Sequence, residues 1–146
     1  MKQGARIWTG DVHALQGDGV VDQTAIETAA EDLCIRYLLH KNVALRGPLL
    51  ETESAWICIG FGENLDDALV ACLREVIHWL SNASGISEAE VYALASMSVS
   101  FRITQYSHQT ASAYSSTPPK AVHTVIPKDI FPAEVRDRVE GWLRSA

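Results

Sequence analysis

Asn64–Gly85, NLDDALVACLREVIHWLSNASG, decides the fold class. Leu65, Leu69, Cys72, Leu73, Val76 and Leu80 recur at helical spacing, while Asp66, Asp67, Arg74, His78 and Ser81 hold the opposite face. Asn64 is a good N-cap, and the two aspartates suit the positive end of the helix dipole. Asn82 to Gly85 ends the helix. Ser87-Glu88-Ala89-Glu90 then reads as a capping box with Glu90 at the third helical position, so a second helix follows to about Ser96.

Outward from this helix pair the period changes from 3.6 to 2. Upstream, Trp56–Ile59 is a short apolar run bounded by Ser54 and Gly60, the pattern of a buried strand. Leu33–His40 alternates, with Leu33, Ile35, Tyr37 and Leu39 on one side, which favours a strand over a helix. Arg6-Ile7-Trp8 reads as another short strand. Downstream, Val99, Phe101 and Ile103 alternate with Ser100, Arg102 and Thr104, the mark of a half-buried strand. Residues 107–119 are polar, carry SSTPP, and read as a mobile loop. Ala121–Ile126 is a further strand closed by Pro127. Pro132 suits the first position of a last helix, on which Val135, Val139, Trp142 and Leu143 form one apolar stripe. The order β, β, β, α, α, β, β, α predicts an α+β fold: two or three helices packed on a largely antiparallel or mixed sheet, in one domain spanning 1–146.

Bulk properties narrow the function. The 146 residues are 47% hydrophobic and 21% charged, ordinary for one soluble domain. Twelve Lys plus Arg against 18 Asp plus Glu give a net charge of −6, and no basic tract exists. Nucleic-acid and anionic-membrane partners are disfavoured. Cys34, Cys58 and Cys72 are an odd set without CxxC spacing, expected as buried free thiols in a reducing cytoplasm. The start has no secretory pattern and no run reaches a membrane span, so a cytoplasmic location is expected. Strand-like sequence begins almost at residue 1, as in a domain cut from a longer chain.

The richest chemistry lies in Thr9–Val21, TGDVHALQGDGVV. Asp11 and His13 are two apart, so an extended backbone puts both on one face. They can share a divalent metal, or the carboxylate can orient the imidazole as a base. Gln16 can donate or accept toward a carbonyl. Gly17-Asp18-Gly19 is a turn signal that lets backbone amides approach a ligand. A capped polar turn with a hydrogen-bonded His13 accounts for the same residues.

TGDVHALQGDG followed by TAIET resembles the GD-x-HA-x-QGDGE…TAIE signature of the acetamidase/formamidase family. Further segments are similar to that family in order: ALRGPLLETESAWICIGFGENLDDAL, the WL…GIS…EVYALAS helix pair, SFRITQ, and AVHTVIPKDIF. The resemblance implies the C-terminal half of an acetamidase/formamidase-like fold. It implies a metal-assisted hydrolase that splits short linear amides such as formamide or acetamide into carboxylate and ammonia. A metal can polarise the carbonyl and make hydroxide, and an acid must protonate the nitrogen. By resemblance Asp11, His13, Gln16 and Asp18 are catalytic, and Asp11 and His13 hold a divalent metal, zinc or alternatively calcium. Gly17, Gly19, Glu27 and His123 border the substrate. The implied partners are a small amide and either a second copy of the chain or a separate N-terminal amidase half. Two departures stand out: the N-terminal half of the family pattern has no counterpart here, and QGDGE becomes QGDGV, with Val20 in place of an acid.

Three readings follow: an amidase domain completed by another part, a non-catalytic remnant, and a metal- or small-molecule-binding module. The other polar and aromatic residues have plainer expectations. His78 reads as exposed on its helix, His40 and His108 as structural, and His123 as a sheet histidine with some pocket character from the VH…PK match. Trp8, Trp56, Trp79 and Trp142 read as core or interface anchors. Arg102 needs an acidic partner, and Glu88 and Glu90 are explained by capping.

Overall fold

The computed structural model describes residues 10, 12–22, 24–38, 40, 43, 45–106 and 120–144. Strands β1 (His13–Leu15) and β2 (Ile26–Glu27) form a small antiparallel ladder. A four-stranded antiparallel sheet follows in the order β3-β4-β6-β5, from β3 (Leu49–Glu51), β4 (Ala55–Gly62), β5 (Ser100–Gln105) and β6 (Lys120–Pro127). Helices α1 (Leu65–Ser84) and α2 (Glu88–Ser98) separate β4 from β5, and α3 (Ala133–Arg144) closes the described chain after a 3-10 turn at Lys128–Ile130. The molecule is α+β, as expected. No helix among the described residues is long and apolar enough to cross a membrane.

Local chemistry sets the helix limits. The Asn64 side chain accepts from the Asp67 amide at 2.9 Å, and Gly85 ends α1 with φ 76, its N–H donating to the Ser81 carbonyl. At α2 both arms of the capping box form between Ser87 and Glu90. Helix α3 begins at Ala133, one residue later than expected, with the Pro132 carbonyl accepting from the Arg136 amide.

Helix α1 lies against β4 and β6 at very close range. A Cβ on Gly60 would stand 2.3 Å from the Cys72 nitrogen, and one on Gly62 2.4 Å from the Ala68 nitrogen. Glycine is required there because the helix backbone fills the space of a side chain. Around this contact sit Trp56, Cys58, Ala68, Cys72, Val76, Trp79, Leu80 and Ile126, all buried. Trp56 meets Trp79 edge-on at 6.0 Å between centroids. Lys128, buried, pairs with Glu51 at 2.8 Å and so joins the 3-10 turn to β3.

Several expectations change. Leu33–Leu38 joins no ladder among the described residues, and Leu33, Ile35, Tyr37 and Leu38 are exposed. Alternation makes a strand only where an edge offers hydrogen bonds and a surface covers the apolar side. Cys34, in that segment, is exposed, whereas Cys58 and Cys72 are buried as expected. The buried stripe of α1 is turned from the expected one: Ala68 and Trp79 face inward, while Leu69 is 40% exposed. Leu69 and Leu73 instead line an open apolar pocket of about 590 Å³ with α2 and β5. Ile103 is exposed and Thr104 half-buried because the β5–β6 register shifts between Ile103 and Gln105. His78 is half-buried rather than exposed. Arg6–Trp8, Asp11, Leu39, His108 and the loop 107–119 lie outside the described residues.

Candidate functional site

The opening stretch becomes a hairpin and a turn. In the β1–β2 ladder His13 is registered with Glu27, which brings His13 Nε2 to 3.3 Å from Glu27 Oε1. Gln16 and Gly17 follow, both exposed. A Cβ on Gly17 would meet nothing within 4 Å, so crowding does not require glycine there. Gly19 is different: its φ is 93, a conformation that favours glycine.

Gly19 docks the turn onto the free edge of β5. Its N–H donates to the Thr104 carbonyl at 3.2 Å, and its carbonyl accepts from the Tyr106 amide at 2.7 Å. This one-residue parallel bridge sets down the preceding side chain, Asp18, beside the sheet. Asp18 Oδ2 lies 3.7 Å from Arg102 Nη1 and 3.8 Å from His123 Nε2. Arg102 and His123 are cross-strand partners on β5 and β6, so both project from one face. Gly60 and Val122, the neighbouring pair, face α1, and alternation therefore points His123 away from the helices. His123 is buried, with Nδ1 2.8 Å from Thr104 Oγ1. Lys120, also buried, donates to the Tyr106 carbonyl, and its ammonium lies 4.0 Å from the Tyr106 ring centroid.

Two pairs of sequence-predicted residues thus meet: His13 with Glu27, and Asp18 with His123. Arg102 finds its acidic partner in Asp18. Thr104 escaped the sequence reading, although it stands two residues from Arg102 in an alternating strand. Val20 has φ 35, which a β-branched residue rarely adopts.

Metal fit is incomplete. Among the described residues no three His, Cys, Asp or Glu gather to hold an ion. His13 and Glu27 are two donors, and a catalytic zinc takes three from the protein. The buried thiols are poor ligands here, because burial pushes Cys58 up to about 12 and Cys72 up to about 11.

No family model matches the chain, and no curated protein matches it in sequence. Solved structures do resemble it, acetamidases among them. An acetamidase from Yersinia enterocolitica is 26% identical with a TM-score of 0.63, over 81% of this chain and 33% of that one. An acetamidase from Bacillus halodurans is 23% identical with a TM-score of 0.47, over 57% of this chain and 25% of that one. The chain therefore spans a third or less of the length of either protein. Over the part matched to the Yersinia structure, it has an acetamidase-like α+β fold.

Proposed function

We propose that this chain is the Asp18–His123 part of an amidase that hydrolyses short linear amides, working with a polypeptide that supplies the rest of the fold. The observation that carries this reading is the turn docked on β5, which brings Asp18 to His123 and Arg102. Amide hydrolysis consumes one water and yields a carboxylate and ammonia. A base must take a proton from the attacking water, and an acid must give one to the departing nitrogen. Asp18 is the assigned base: among the described residues its two ion pairs go to Oδ2, and Oδ1 is assigned to the ligand. His123 is the assigned proton carrier, and Arg102 supplies positive charge near a developing oxyanion. Gln16, Gly17 and Gly19 border the amide.

A divalent cation, zinc or calcium, is proposed for Asp11 and His13, with Glu27 beside His13. Since the described residues do not complete that centre, the proton steps above are assigned to side chains alone. Metal analysis of the purified chain checks the proposal: less than one tenth of an equivalent after dialysis against zinc or calcium contradicts it. The function itself is tested by ammonia release from formamide and acetamide, by the chain alone and mixed with the remaining two-thirds of an acetamidase. Release by the mixture supports the reading, and none from either sample opposes it.

Val20 favours a second reading, a non-catalytic member of the fold. It stands where the signature has an acid, and its backbone is strained. Val20→Glu separates the two, since a restored acid raises ammonia release only if the remaining site is intact.

A further inference from the structure

Thr104 is hydrogen-bonded to His123 and to Gly19, the residue that follows Asp18. Its carbonyl accepts from the Gly19 amide and so holds the turn that carries Asp18. Its hydroxyl lies 2.8 Å from His123 Nδ1. The register shift between Ile103 and Gln105 sits at this residue, and such bulges re-aim side chains beside sites. A neutral imidazole has one proton and two nitrogens to carry it. Were Nε2 unprotonated, its lone pair would face the Asp18 carboxylate across 3.8 Å, an unfavourable arrangement. A proton on Nε2 removes that conflict and makes Nδ1 an acceptor. The Thr104 hydroxyl can rotate to donate to it. His123 is buried, so water is a poor replacement for that donor.

We infer that Thr104 is a positioning residue: it holds neutral His123 in the Nε2-protonated tautomer, with that proton directed toward Asp18. The inference rests on the reading of Asp18 and His123 as the reacting pair, but its test does not depend on turnover. Nitrogen-15 spectra of the imidazole, recorded on the full chain at a pH where His123 is neutral, report the tautomer. The wild type is expected to show a protonated Nε2 and an acceptor Nδ1. Thr104→Val is expected to give a mixture of tautomers, and Thr104→Ser to restore the single one. A proton on Nδ1 in the wild type overturns the inference, as does an unchanged Nε2 tautomer in Thr104→Val. If Thr104→Val does not fold, the wild-type and Thr104→Ser spectra decide, and a proton on Nδ1 in either is fatal. A failed ammonia-release assay beside the expected spectra would strike the proposed function and leave the role of Thr104 standing.

Discussion

Asp18 owes its position to the residue after it. Gly19, at φ 93, gives both of its backbone polar groups to β5, and Val20 follows at φ 35. Left-handed backbone costs an ordinary L-residue about 1–2 kcal/mol. Val20→Asn is therefore expected to stabilise the docked turn by about 1 kcal/mol, because asparagine tolerates that region. Slower hydrogen exchange at the Gly19 amide would register the gain, and unchanged exchange would refute it. The cysteines give a second prediction. Desolvation raises Cys58 and Cys72, so their neutral thiols favour the folded state fully below the ordinary thiol range, and this contribution fades as pH climbs through about 11 and about 12. At pH 8 a thiol reagent should label Cys34 alone in the native protein and all three cysteines in denaturant. Rapid native labelling of Cys58 or Cys72 would contradict their burial. Asp18 and His13 stood out in the sequence because polar groups cluster around glycines there, and His123 only through the VH…PK match. Thr104 was not singled out: alternation put it on the Arg102 face, but a lone threonine in a strand carries no signal of a histidine partner on the neighbouring strand. The meeting of His13 with Glu27 depends on the register of a very short ladder, which residue pattern does not fix.

At the scale of elements, two glycines of β4 set the distance between sheet and helix. Gly60→Ala would drive a methyl group into the α1 backbone at Cys72 and Ala68. Overpacking of this kind costs about 1–3 kcal/mol, and backbone cannot swing aside as a side chain does, so the upper part of that range is expected. A urea midpoint equal to wild type would show that α1 lies farther from the sheet. Helix α2 adds a pH effect. The Ser87 hydroxyl and amide hold the Glu90 carboxyl below its ordinary range. Its stabilising contribution is present at neutral pH and is lost as pH falls through that lowered value. Ser87→Ala should therefore flatten the acid limb of the stability curve, and a curve parallel to wild type would argue against the capping box. Helix α1 was legible because cap and period agree over many residues, and α2 because its capping box announces its start. Leu33–His40 misled because alternation states which side is apolar and not whether an edge exists to receive it.

At the scale of the whole molecule, the helix side of the sheet is packed, whereas most apolar side chains described between Val12 and Leu38 are exposed. Val12, Leu15, Val21, Ile26, Leu33, Ile35, Tyr37 and Leu38 are all exposed, Val21 at 81% and Leu38 at 73%. We propose that so much apolar surface in one segment is an interaction face. The Yersinia acetamidase it resembles is about three times as long as the part this chain covers, so the proposed occupant of the face is the rest of such a fold. Alone, the chain should self-associate in sedimentation, and Leu15→Glu with Leu33→Glu should reduce the association. A monodisperse monomer at all concentrations would contradict this. The overall architecture was legible in the sequence. The exposure of these apolar side chains was not, because an apolar pattern looks the same whether its cover lies within the chain or outside it. The proposed chemistry stands on Asp18, set down by the docked turn as the base of an amidase. Its most direct test is ammonia release from acetamide by the chain mixed with the remaining two-thirds of an acetamidase, wild type against Asp18→Asn. Loss of the base is expected to lower the rate by about 10²–10⁴-fold, whereas equal rates from the two proteins would remove Asp18 from that role.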